Sequence, residues 1–185
     1  MKEIRMHGRG GQGVVKSAQL IVKSVVNTGG FAHFIPFFGV ERKGSPVFGF
    51  LRIDDKDIRQ KCQVYEPEIL LIYDDTLLDM PQTYAGMLAG CTVIINTSRC
   101  LDELTIPDAA GTVALVDASG IAQKEIGRNI PNTAMLGAFA KITGLADWQS
   151  LQTEVDAGFG GKNLKAAQAA YDSVEIVKNS NRAGA

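Results

Sequence analysis

The sequence predicts an α/β fold, a single domain with a mostly parallel sheet flanked by helices. Three observations carry that expectation. Gly8, Gly10 and Gly13 spell G-x-G-x-x-G between a short apolar-alternating run and a helical pattern, the strand–turn–helix setting in which such a turn holds an anion. Ile69–Tyr73, Cys91–Asn96 and Thr112–Asp117 are apolar runs that read as strands buried on both faces. Helical patterns alternate with the strands across residues 1–185, with no internal repeat, low-complexity tract or linker.

The elements follow in order. Glu3–His7 is the first strand, and the glycine turn leads into a helix over Val14–Asn27 that Gly29-Gly30 ends. Phe31–Pro36 reads as a short aromatic strand and Phe37–Pro46 as a loop bearing glycine and charge. Pro46–Ile53 reads as a strand closed by the turn Asp54-Asp55-Lys56. A helix is expected over Pro81–Ala89, between the first two buried strands. Ala118–Gly127 and Thr133–Thr143 read as helices, with Asn132 or Thr133 capping the second. Gly137 inside that helix marks close packing or a ligand approach. Leu151–Phe159 and Leu164–Lys178 are the last helices. In the second of these Leu164, Ala167, Tyr171, Val174 and Val177 recur near the helical period. The small, polar tail 179–185 is expected to be mobile.

Composition narrows the function. The chain has 185 residues, 45% hydrophobic and 21% charged, with a formal net charge of −1. Those values suit an ordinary globular protein and give no global attraction to nucleic acid or an anionic membrane. No signal-peptide core and no apolar run of bilayer-spanning length is present, so a cytoplasmic protein is expected. Cys62, Cys91 and Cys100 form no C-x-x-C pair, too few for a disulfide framework or an iron–sulfur cluster held by this chain. His7 and His33, the only histidines, read as buried or capping groups rather than metal ligands.

The glycine turn lets backbone N–H groups approach an anion, and the helix behind it adds about half a positive charge. A dinucleotide unit should place an acid about 20 residues further on, for the ribose hydroxyls. Here Glu41 is followed at once by Arg42 and Lys43, and cations there suit a phosphate better. Arg42, Lys43 and Lys16 with the Gly8–Gly13 amides form a candidate polyphosphate site. Phe31, Phe34, Phe37 and Phe38 have the option of walling an adenine, although packing or a subunit interface is the more economical role. Asp74-Asp75 fits a metal or acid–base role, or more simply a helix cap. Asn96-Thr97-Ser98 and Asp117-Ala118-Ser119 lie at the same sheet edge, to be satisfied by a ligand or by helix caps. No Ser/His/Asp order and no metal-ligand cluster emerges, so no catalytic or metal-binding residue is assigned. The chain reads as a binding domain whose chemistry is completed elsewhere.

Three blocks resemble one family. Ile4-Arg5-Met6-His7-Gly8-Arg9-Gly10-Gly11-Gln12-Gly13-Val14-Val15 resembles the opening of the gamma subunit of 2-oxoacid:acceptor oxidoreductases, the pyruvate:ferredoxin type. Gly39-Val40-Glu41-Arg42-Lys43-Gly44-Ser45-Pro46-Val47 and Asn129-Ile130-Pro131-Asn132-Thr133-Ala134-Met135-Leu136-Gly137-Ala138 resemble its next two characteristic segments, in the same order. The resemblance implies a Rossmann-like or flavodoxin-like domain in a complex with alpha, beta and delta-type subunits. Such complexes convert a 2-oxoacid and coenzyme A to acyl-CoA and carbon dioxide. Thiamine diphosphate and iron–sulfur clusters sit on the partner subunits, and the acceptor is ferredoxin or an NAD-linked flavin subunit. By position, the resemblance assigns coenzyme A contacts to Gly8, Gly10, Gly11, Gln12, Gly13, Arg42 and Lys43. It leaves the 2-oxoacid open, pyruvate or an aromatic acid such as phenylglyoxylate. A stand-alone NAD- or FAD-binding oxidoreductase and a purely structural assembly subunit remain the alternatives.

Overall fold

β1 (Lys2–Arg9) runs through the middle of a seven-stranded sheet in the computed structural model, which describes residues 1–37 and 44–179. The other strands are β2 (Phe31–Phe37), β3 (Pro46–Asp54), β4 (Ile69–Ile72), β5 (Cys91–Asn96), β6 (Ala110–Val116) and β7 (Glu175–Asn179). Their spatial order is β2-β3-β1-β4-β5-β6-β7. β1, β4, β5 and β6 pair in parallel, while β3 is antiparallel to both β1 and β2, and β7 is antiparallel to β6. Five of the seven strands therefore point the same way. The parallel strands follow a flavodoxin-like order, with β3 of the β2–β3 hairpin filling the place beside β1.

The period of two along β1 commits both faces of the sheet. Ile4 and Met6 face a core shared with α1 (Val14–Asn27), α3 (Ala118–Ile126), α4 (Asn132–Thr143), α5 (Trp148–Phe159) and α6 (Gly161–Ser173). β4 divides the same way: Ile69 and Leu71 join that core, while Leu70 and Ile72 join a second one with Val93, Ile95 and Val113. The second core lies under short pieces, α2 (Pro81–Tyr84) and 3-10 turns at Asp75–Leu77 and Leu101–Glu103. The long helices thus share one face. None among the described residues is long and apolar enough to cross a membrane.

α4 is the keystone of the helical layer. Its residues Asn132 to Ala140 are all buried, as expected for a helix apolar on every side. Gly137 lets it touch α6: a Cβ there would stand 1.9 Å from the Ala167 carbonyl oxygen. Of the two roles read from the sequence, close packing is the one realised. The cap position of α4 is Pro131, and neither Asn132 nor Thr133 caps it; Asn132 Oδ1 instead accepts the Thr133 N–H at 2.8 Å.

Two helical expectations are corrected. The helix expected over Leu164–Lys178 ends at Ser173, and Glu175–Asn179 pairs with β6 as β7. β6 needs hydrogen-bond partners on its outer side, and the β-branched pair Ile176-Val177 suits a strand; this tertiary demand overrides the helical spacing. β7 also takes in Asn179, the first residue of the expected mobile tail, while 180–185 lie outside the described residues. The helix expected over Pro81–Ala89 covers only Pro81–Tyr84, because Ala85 is extended and Gly86 adopts a φ of 70°. A Cβ on Gly86 would meet the Tyr65 carbonyl oxygen at 2.0 Å.

Gly137→Ala separates packing from helix propensity. Propensity alone favours alanine by about 1 kcal/mol. The backbone contact reverses the sign, and urea unfolding should show a loss of about 2–3 kcal/mol. A stabilised variant would refute the close-contact role.

Candidate functional site

The glycine turn is held by the protein's own polar groups. Gly10 N–H donates to the Ser45 carbonyl at 3.0 Å and Gln12 N–H to the Arg9 carbonyl at 3.1 Å. Gln12 folds back, its Oε1 accepting the Arg9 N–H at 2.8 Å and its Nε2 donating to Asp74 Oδ2 at 2.8 Å. The Arg9 guanidinium reaches Thr76 Oγ1 at 2.6 Å, the Gly44 carbonyl at 3.2 Å and Asp74 at 3.3 Å. Burial pulls the Asp74 carboxyl upward. Hydrogen bonds from Thr76 and Gln12 and the Arg9 charge outweigh it and hold the group below its ordinary range. Asp74 also caps the 3-10 turn through the Thr76 N–H, the capping role favoured from the sequence.

The residues singled out in this turn do different work. A Cβ on Gly8 would meet Val14 Cγ2 at 2.4 Å and Tyr73 Cβ at 3.1 Å, so Gly8 lets β1 and α1 converge. A Cβ on Gly13, whose φ is 77°, would meet Asn132 at 2.9 Å, so Gly13 lets α1 start beside α4. Gln12 is a brace, and the Gly10 amide is already used. Gly11, with a φ of 98°, faces open space. Behind it, α1 begins with no side-chain cap and no acid in its first turn. Among the described residues its first N–H groups and those of Gly11 and Gly13 have no acceptor. Lys16 is exposed beside them. Arg42 and Lys43 lie outside the described residues, as do Phe38 and Glu41; the adjoining Gly44 and Ser45 touch the turn through Arg9 and Gly10.

A groove of about 720 Å³ runs from Val15 and Lys16 along α1 to Lys23, walled by Phe34 and Pro36 of β2 and by Phe159. The aromatic segment is split by strand alternation, since Phe34 packs on the helix-side core while Phe31 and Phe37 are exposed. The other polar strand ends satisfy one another. Asn96 donates to the Tyr73 carbonyl and to Ser119 Oγ, each at 2.9 Å, and Asp117 caps α3 through the Gly120 N–H. Asp75 binds Thr97 at 2.7 Å and Arg99 at 3.0 Å. No group of three metal-capable side chains occurs among the described residues.

The opposite face of β1 carries a pair whose polar role the sequence reading missed. Arg5 Nε donates to His7 Nε2 at 3.0 Å and Arg5 Nη2 to the Thr83 carbonyl at 2.9 Å. His7 is 1% exposed and packs edge-on against Phe48. Burial and then the Arg5 charge push its pKa down to about 3. The signal was present in the sequence: Arg5 and His7 alternate with Ile4 and Met6, which places them together on one face.

Fold and turn define a class first, a flavodoxin-like α/β domain with an uncapped helix start behind its glycine turn. The chain belongs to the pyruvate ferredoxin/flavodoxin oxidoreductase family, which matches residues 3–173. It is 44% identical to the common gamma subunit of the pyruvate/ketoisovalerate oxidoreductases of Thermococcus kodakarensis, over 95% of this chain and 98% of that one. It is 41% identical, over the full length of both, to the gamma subunit of the NADH-dependent phenylglyoxylate dehydrogenase of Aromatoleum evansii. The crystal structure of the pyruvate oxidoreductase subunit PORC of Thermotoga maritima is similar with a TM-score of 0.83 and 29% identity, covering 96% of this chain and 98% of that one. The resemblance read from the three sequence blocks is thereby borne out.

His7 makes stability pH-dependent with a definite sign. Its pKa is lower folded than unfolded, so the unfolded chain binds the extra proton and stability falls as pH drops below about 6.5. Between pH 7 and 5 urea unfolding should show a loss of about 2 kcal/mol in wild type that His7→Gln lacks. Equal losses in both proteins would show that the buried imidazole is not the cause.

Proposed function

We propose that this chain is the coenzyme A-receiving gamma subunit of a multi-subunit 2-oxoacid:acceptor oxidoreductase that releases acyl-CoA and carbon dioxide. The observation that carries the reading is the uncapped start of α1 beside Gly11 and Lys16, opening into the groove along α1. Free N–H groups, a helix N-terminus and an ammonium suit a phosphate. Among the described residues the carboxylate beside the turn, Asp74, is matched by Arg9 and so does not repel it. The groove has room and an apolar wall for the uncharged part of the carrier.

In this reading Gly11 and Gly13 offer backbone donors, Lys16 adds charge, and Arg42 and Lys43 extend the cradle from the segment preceding Gly44. Gly8, Gly10 and Gln12 act indirectly, by shaping the turn. Thiamine diphosphate on a partner subunit supplies the decarboxylation chemistry when bound, and iron–sulfur clusters on partners conduct the electrons. Alpha, beta and delta-type subunits complete the complex. The acyl group is chosen outside this chain. Relatives named for pyruvate, ketoisovalerate and phenylglyoxylate all align along it, so pyruvate-type and aromatic 2-oxoacids both fit. The acceptor is ferredoxin or, through a flavin subunit, NAD.

Kinetics of the assembled complex test this. Loss of one charge-assisted phosphate contact costs about 1.5–3 kcal/mol, roughly 10- to 100-fold. Lys16→Ala, and separately Arg42→Ala with Lys43→Ala, should raise the KM for coenzyme A by such a factor and leave the KM for the 2-oxoacid unchanged. An unaltered coenzyme A KM in correctly assembled complexes would reject the cradle and favour a structural subunit.

A further inference from the structure

The sheet face opposite α1 carries buried arginines on neighbouring strands, and they differ in one respect. Arg52, 1% exposed, holds Glu3 at 2.7 Å and the Cys62 and Gln63 carbonyls. Arg9 and Arg99 on the polar edge have Asp74 and Asp75. Arg5 is 7% exposed, yet it has no carboxylate within ion-pair distance among the described residues. The titratable groups it acts on are the His7 ring, which burial and the Arg5 charge keep neutral, and the Cys91 thiol, which burial pushes up to about 12 and likewise keeps neutral. A buried cation without a counter-charge is costly.

Arg5 does not face a packed interior. With His7 it lines an open cavity of about 450 Å³ walled by Phe37, Phe48, Phe50 and Tyr65. That is the size of a small-molecule site. Two polar atoms there are unused. Arg5 Nη1 has no hydrogen-bond partner among the described residues, its Nε and Nη2 being taken by His7 and Thr83. His7 Nδ1 is buried and unpartnered. Because His7 Nε2 accepts from Arg5, the neutral ring carries its proton on Nδ1. The cavity therefore offers a guanidinium N–H beside the buried His7 ring and beneath an aromatic wall, with Gln63 and Gln82 also on its lining.

We infer that this cavity is a ligand site for a small monocarboxylate on a flat or branched apolar body. The carboxylate sits on Arg5 Nη1 beside the His7 ring, and the body lies against Phe37, Phe48, Phe50 and Tyr65. Among the described residues a second anionic group would find no further cation on the lining, which favours monocarboxylates. The inference is independent of the coenzyme A reading, since it concerns the other face of β1 and other residues.

Titration of the full chain with sodium benzoate, followed by calorimetry and by the His7 ring NMR signals, tests it. Benzoate should bind at one site with a Kd on the order of 1 mM, the range expected of so small a ligand. Benzamide, of the same shape without the charge, should bind at least about tenfold more weakly. Arg5→Gln should abolish binding. If that variant does not fold, Phe37→Glu changes an exposed rim residue, 45% accessible, and should weaken benzoate at least about tenfold by charge repulsion. The inference is overturned if the folded wild-type chain shows no saturable benzoate binding or leaves the His7 signals unmoved. Equal affinity for benzamide, or no effect of Phe37→Glu, overturns it as well.

Discussion

The strict alternation of β1 is the constraint on which the rest rests. One strand, paired on both sides, presents Ile4 and Met6 to the helical layer and Arg5 and His7 to the opposite face. Neither set can move without the other, because a shift of one residue exchanges the faces. That register aims the chain out of the sheet at Gly8 and Gly10, where the missing side chains allow α1 to begin against β1 and α4. The glycine turn and the aromatic cavity are two outlets of a single alternating strand.

The turn also shows how a site is kept open by groups that do not face it. Gln12 bridges Arg9 and Asp74, and Arg9 ties both to Thr76 and Gly44. This network neutralises the acid at the sheet edge and engages the Gln12 and Arg9 side chains away from the start of α1. The open donors are left to the backbone, which holds its direction better than a long side chain does. Asn96, Asp117 and Asp75 close the rest of the edge in the same internal manner, so the polar strand ends concentrate the open donors at one corner.

Much of this was legible beforehand. The sequence placed β5 at its observed bounds and α1 likewise, and it set the glycine turn between β1 and α1. Alternation and apolar runs are local and survive folding. What escaped notice depends on distant partners. Glu175–Asn179 has a helix-compatible spacing, and only the bare side of β6 makes it a strand. The β2–β3 hairpin was in principle readable: the residues between Phe37 and Pro46 are too few for a helical crossover, which leaves an antiparallel return. At the site, glycine count announced the turn, but it could not say that Gly8 and Gly13 serve packing while Gly11 stays open. Arg5 escaped because its strand was read for its apolar side alone.

The last strand has a consequence for how this chain is made. β6 is covered on one side by β5, which is synthesised earlier, and on the other by Glu175–Asn179, which emerges 60 residues later at the Leu115–Glu175 pair and 67 later at the Thr112–Asn179 pair. During translation the outer side of β6 is therefore an open row of amides and carbonyls while α3 to α6 are still appearing, the kind of border that recruits strands from other molecules. Nascent chains are most open to such pairing in that interval, until the last strand closes the border.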